Sequence, residues 1–146
     1  MLKASFTTGP RMTALTFLNP PGLYDPAPNG YSHVAVVEGL PRWVFLAGQG
    51  GESADDALSP DFAVQLRQAF DNIAIALAAA NATLRDVVKL TVLVVDHDTA
   101  KLEVLSRTVR ERFEGRPAPA CTLIPVPRLA LDGMLVEVEA TAATRP

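Results

Sequence analysis

The chain has 146 residues, 49% hydrophobic and 20% charged, which suits one folded domain with a real core and excludes a disordered composition. Its formal net charge of −3 supplies no basic footprint for nucleic acid and no polybasic patch for a membrane surface. The lone cysteine forms no internal disulfide, the start MLKASFTTGP lacks the apolar core of a secretory signal, and the apolar runs 73–80 and 91–95 are too short to cross a bilayer. The expectation is a soluble cytoplasmic protein.

Residues 1–30 are expected to form a separate arm, extended or rich in turns, because LNPPGLYDPAPNG carries prolines at 20, 21, 26 and 28. The body then spans 31–146. YSHVAVVE (31–38) predicts a strand, the segment 39–42 a turn, and WVFLAG (43–48) a second strand, so the two should pair as a hairpin. Ser59 and Pro60 mark a helix start as N-cap and first helical residue. Phe62, Leu66, Ala69, Phe70, Ile73, Leu77 and Ala80 recur on one helical face, and Asn81 is suited to end that helix. VVKLTVLVV (87–95) predicts a central strand. Asp98 caps a second helix whose apolar stripe is Leu102, Leu105, Val109 and Phe113. TLIPV (122–126) and MLVEVEATA (134–142) complete the order β-β-α-β-α-β-β. Strands separated by single helices predict a two-layer α+β sandwich, with both helices on one face of one mixed sheet. The uncovered face is partly apolar, which predicts oligomerisation.

Few residues carry a chemical signal. Gly48, Gly50 and Gly51 follow a strand, but neither a phosphate loop nor a dinucleotide fingerprint is completed. A tight strand exit where the backbone approaches a neighbour or a ligand is the better account. Asp96-His97-Asp98 has no partners to complete a metal site. Cys121 with His33 would make a dyad only if the fold joined them, and a single cysteine is more often a small buried hydrophobe. Glu137 and Glu139 share one face of the last strand by its period of two. A buried carboxylate there would suit binding water or an amine.

Three segments together resemble the Rid family of reactive intermediate deaminases, also called YjgF. They are YSHVAVV with FLAGQGG, QLRQAFDNIAIALAAANATLRDVVKLTVLVVD, and PACTLIPVPRLALDGMLVEVEATA. The resemblance runs from about residue 30 to 143, and its most specific block is 65–96. It implies a chorismate-mutase-like fold assembled as a homotrimer around a central barrel, with a small-molecule cleft between each pair of copies. It also implies hydrolysis of enamines and imines to carbonyl compounds and ammonia, without metal or cofactor. Residue by residue, Tyr31 corresponds to a tyrosine that lines the cleft, Gly48 to a loop of backbone donors, and Ala47 to a position where serine is common. Glu137 corresponds to the glutamate that positions water, and Ser106 to a cleft-facing residue of the second helix.

Aligning Pro119-Ala120 with the family's proline-alanine pair puts Cys121 where relatives carry an arginine and Thr122 next to it. Starting from Pro117-Ala118 puts Pro119 there instead. The first register is preferred because it also aligns Leu123 to Val126 and Leu129, but under either the relatives' arginine is absent. That arginine clamps the substrate carboxylate by a bidentate ionic contact, which a thiol cannot make. This departure predicts a non-standard branch whose substrate is not an ordinary 2-imino acid. Two other readings stay open: a trimer that binds a metabolite without catalysis, and an enzyme with Cys121 as nucleophile. The latter requires a lowered thiol pKa.

Overall fold

The computed structural model describes residues 13–145. The expected order is present, preceded by one further strand. β1 (Ala14–Leu18) comes from the predicted arm, and a short 3-10 turn (Ala27–Asn29) follows it. Then come β2 (Val34–Glu38), β3 (Arg42–Gly50), α1 (Phe62–Ala79), β4 (Val87–Val95), α2 (Thr99–Arg112), β5 (Ala120–Val126) and β6 (Val136–Thr144).

The strand pairing differs from the expectation in two ways. β2 and β3 do not pair as a hairpin. β2 pairs antiparallel with β1, from Ala14 opposite Glu38 to Leu18 opposite Val34. β3 pairs antiparallel with β6 instead, and the four-stranded order is β3-β6-β4-β5, with β4 and β5 parallel. The apolar segment of the arm outcompetes β3 for β2, a choice between distant partners that local patterning does not encode.

The central barrel is also corrected. Among the described residues there are two open sheets, and none closes on itself. β3 and β5 each have one neighbour in the four-stranded sheet, whereas a barrel needs its first and last strands to pair. Among the described residues one isolated bridge links the segment before β2 to β5. Ser32 pairs with Ala120, and its N–H donates to the Pro119 carbonyl at 3.1 Å. That link sets Tyr31 beside the start of β5.

α1 forms where the sequence repeats apolar residues every three or four positions. Leu66, Ala69, Phe70, Ile73 and Leu77 are fully buried on its inner stripe. The helix starts two residues later than Ser59 suggests: Asp61 is the N-cap, and its carboxylate accepts from the Val64 N–H at 2.8 Å. Ser59 instead accepts from the Asp61 N–H at 3.1 Å, fixing the entry of the helix. Asn81 takes the left-handed conformation (φ 51°) just past the helix, as its residue type allows. Asp98 caps α2 by accepting from the Lys101 N–H at 2.7 Å.

Leu105, Val109 and Phe113 of α2 join α1 in burying Leu90, Val92 and Val94 of β4 and Val136, Val138 and Ala140 of β6. Each large side chain so buried contributes about 1.5–3 kcal/mol before entropy is counted. One buried polar group crosses this layer. The amide of Gln65 donates to the carbonyls of Ser59 (2.6 Å) and Gly133 (2.8 Å) and accepts from the Leu135 N–H (2.8 Å). It therefore ties α1 to the entry of β6 with its polar atoms satisfied.

The other face of the four-stranded sheet carries no helix. Trp43 and Phe45 of β3 lie exposed there, at 47% and 77%, with rings stacked at 6.4 Å.

Candidate functional site

The first group of predicted residues gathers where the arm crosses α2 and β5. Gly30 adopts a left-handed conformation (φ 77°), and a Cβ there would lie 2.8 Å from the Ser106 carbonyl oxygen. Only glycine lets the turn sit this close to α2. Arg110 of α2 donates to the Pro28 carbonyl and holds the same turn. Tyr31 follows. Its hydroxyl bonds the hydroxyl of Tyr24, and the His33 ring meets both tyrosines edge-on at 5.1 and 5.4 Å. His33 Nε2 lies 2.8 Å from the Tyr24 carbonyl, a bond made by its Nε2–H tautomer.

Tyr31 and Cys121 line a pocket of about 340 Å³, together with Tyr24, Asn29, Thr122 and Leu102. Burial pushes the Tyr31 phenol up to about 12, helped by the hydrogen bond and the charge of Tyr24 and then by Cys121. Burial likewise pushes the Cys121 thiol up to about 11, only partly offset by the Lys89 ammonium. The thiol therefore stays protonated near neutral pH, the opposite of what an activated nucleophile requires. Lys89 is itself engaged, donating to the Thr122 hydroxyl at 2.5 Å. No cation lines this pocket.

The second group sits elsewhere. β3 is interrupted between Leu46, opposite Ala140, and Gln49, opposite Val138, so Ala47 and Gly48 together face one residue of β6. This is a β-bulge, a device that bends a strand and re-aims its neighbours. Gln49 stays at the bulge, its side-chain amide 3.2 Å from the carbonyls of Ala47 and Gly48. The space left by Gly48 is filled by Glu137. A Cβ on Gly48 would be 1.9 Å from Glu137 Oε1 and 2.6 Å from its Cδ. The carboxylate thus lies across the bulge, in a position that requires glycine beneath it.

These groups lie on opposite faces of the sheet. Cys121 pairs with Leu90, which is buried under the helices, and packs against that core. Glu137 pairs with Leu93, one strand position out of phase with Leu90 and Val92, and so faces away from the helices. Tyr31 and Cys121 meet in one pocket, while Ala47, Gly48 and Glu137 meet on the other face. Thr122, opposite Thr91, borders the pocket but turns its hydroxyl to Lys89 on the open face. Ser106 lines a neighbouring pocket of about 270 Å³ with Asn29, Leu102 and Arg110, and its hydroxyl donates to the Leu102 carbonyl at 2.8 Å. Arg128, the next arginine along the chain, does not line the Cys121 pocket: it pairs with Asp132 at 3.2 Å and is well exposed.

Neither Tyr24 nor Lys89 is among the site residues that the sequence assigns. Lys89 left a signal, as the one charge inside VVKLTVLVV. Tyr24 left none, because its placement depends on how the arm folds back. Among the described residues no three His, Cys, Asp or Glu side chains cluster as a metal site, and no helix is long and apolar enough to cross a membrane.

A two-layer α+β chain with a bulge-seated glutamate on one face and a tyrosine pocket on the other defines a class. The family profile described as endoribonuclease L-PSP matches residues 24–144. The chain belongs to this family, the Rid/YjgF or RutC-like proteins. It is 36% identical over 87 residues to the RutC family protein YjgH of Escherichia coli, covering 60% of this chain and 66% of that one. A RutC family protein of Pyrococcus horikoshii is 34% identical over 120 residues, covering 80% of this chain and 90% of the relative. Among solved structures, the Rid family protein YyfB of Yersinia pestis, described as of unknown function, superposes with a TM-score of 0.81 at 36% identity. That match covers 88% of this chain and 98% of the other.

Proposed function

We propose that the protein is a Rid-type hydrolase acting on a reactive imine or enamine, assembled as a homotrimer in the cytoplasm with its clefts between copies. The observation that carries this reading is the seat of Glu137 on the bulge, where Gly48 leaves room for its carboxylate alone. In the proposed reaction Glu137 accepts a proton from a water molecule as the water oxygen attacks the C=N carbon. That proton passes to the nitrogen to give a carbinolamine. The proton of the added hydroxyl then follows it to the nitrogen as C=O forms and the C–N bond breaks, and a carbonyl compound and ammonia leave. Tyr31 offers a neutral phenol as hydrogen-bond donor in the pocket.

The assembly follows from the two faces. A single copy keeps the Tyr31–Cys121 pocket and Glu137 apart, so a complete site needs the pocket of one copy and the open face of another. The exposed Trp43 and Phe45 on that face supply apolar area for such a contact. The substrate class follows from Cys121. A buried neutral thiol in place of a guanidinium removes the partner of an α-carboxylate, so the favoured substrate is an imine without one. The family's descriptive name includes ribonuclease activity, but a net charge of −3 speaks against a nucleic-acid substrate.

The test is hydrolysis of imines generated in situ, some with and some without an α-carboxylate, by the native protein and by Glu137→Gln. Turnover of a carboxylate-free imine, lost by at least about a hundredfold in the variant, is the expected result. Turnover unaffected by the substitution removes Glu137 from the mechanism. No turnover across the set leaves the second reading, a trimer that binds a metabolite in the same cleft. That reading is favoured by the absence of a cation in the Cys121 pocket.

A further inference from the structure

Tyr31 also lines a second pocket, of about 290 Å³, which Cys121 does not border and the proposed hydrolysis does not use. Arg110 and Arg116 both line it, with Asn19, Ser32 and the Tyr31 wall, and no carboxylate does. Two arginines thus border one small cavity, although Arg116 also borders a neighbouring hollow with Glu114 and its side chain is 37% exposed.

The state of Arg116 sharpens the point. Its Nε is buried and has no hydrogen-bond partner. The nearby carboxylate, Glu114, reaches one terminal nitrogen of Arg116 only at 3.8 Å, beyond hydrogen-bond range, and bonds Arg85 at 3.3 Å instead. A buried, charged N–H without an acceptor is costly and calls for a partner. The polar groups around it are suited to supply the rest of an anion's shell. Asn19 uses its side-chain oxygen to accept from the His33 N–H at 2.9 Å, which leaves its amide hydrogens to donate. Ser32, almost fully buried, carries a hydroxyl. Arg110 is held in place by its bond to the Pro28 carbonyl.

We propose that this pocket is a binding site for a compact oxyanion, a carboxylate or a phosphate group, gripped by Arg116 with Arg110 as second cation. A guanidinium fork matches the two oxygens of such a group. The wall it shares with the other pocket is Tyr31, so an anion here sits next to the imine site without occupying it. The oxyanion has two sources: the acidic tail of a substrate that reaches around Tyr31, or a separate small anion.

The experiment is calorimetric titration of the full chain with inorganic phosphate and, separately, acetate, at ionic strength held constant with chloride. Saturable binding of one anion per chain is expected. Arg116→Gln and Arg110→Gln should each weaken it by about tenfold or more, Arg116→Lys by less, and Arg128→Gln not at all. Thermal melts check that each variant is folded, and Arg110→Gln decides the matter if Arg116→Gln is not. Absence of saturable binding into the millimolar range overturns the site. Equal loss in Arg128→Gln overturns it too, because the effect is then bulk charge. Where an imine is turned over, competitive inhibition by phosphate assigns the site to a substrate tail, and non-competitive inhibition assigns it to a separate anion. Binding is read directly, so a chain that hydrolyses no imine still answers the question.

Discussion

Cys121 is the residue that the preferred register sets against the family's arginine, and its surroundings decide what a thiol there can do. It sits at the start of β5 between Tyr31 and the leucines of α2, and burial lifts its thiol to about 11. A thiol so placed is a packing group and a shape determinant at neutral pH. Alkylation by iodoacetamide should therefore be slow at pH 7 and rise about tenfold per pH unit until the thiol titrates near 11. Fast stoichiometric labelling at pH 7 would restore the nucleophile reading. The same displacement acts on stability. The unfolded chain gives up this proton from about 9, the folded chain only near 11, so folding weakens as pH rises through that window. Below about 9 both states hold the proton and the effect vanishes.

At the scale of elements, two glycines at the end of β3 and in the loop beyond it do different work. At Gly48 an added methyl group meets the end of a flexible side chain, Glu137. At Gly51 it meets backbone, 2.5 Å from the Cα of Gln65 in α1. Gly48→Ala should displace the carboxylate, lowering kcat about tenfold or more while the melting temperature changes by only a few degrees. Gly51→Ala should push the loop off α1 and cost about 1–3 kcal/mol of stability. Thermal melts beside single-substrate kinetics separate the two, and equal destabilisation by both would sink the distinction. The sequence made much of this layer readable. The stripe Leu66, Phe70, Ile73 and Leu77 announced α1, Asp98 announced α2, and the period of two put Glu137 and Glu139 on one face. What stayed hidden depends on partners far along the chain. The apolar β1 within a proline-rich arm took the partner expected for β3. Tyr24 reached Tyr31 only through the fold of that arm. The facing of Cys121 became readable only once Leu90 was known to lie opposite it.

The whole molecule is organised by those facings. Helices cover one side of the sheet, where Cys121 packs; Ala47, Gly48, Thr122 and Glu137 lie on the open side with Trp43 and Phe45. If complete sites form between copies, two defective chains can repair one another. Glu137→Gln keeps the Tyr31–Cys121 pocket, and Cys121→Trp, which fills that pocket, keeps Glu137. Each alone should be inactive toward the imine substrate. Refolded together in equal amounts, they should recover about a quarter of native activity, the share of clefts that receive both intact halves. No recovery from a mixture that has assembled would show that one copy supplies the whole site.

If sites form between copies, a genetic consequence follows. A folded chain altered at Glu137 carries a normal pocket into mixed assemblies, so the active clefts still equal the normal glutamates present. A chain altered at a fully buried position such as Leu66, which fails to fold, leaves the normal copies to assemble alone with the same number of active clefts. Only a folded chain defective in both halves of the site removes more clefts than its own share, and that loss alone is dominant.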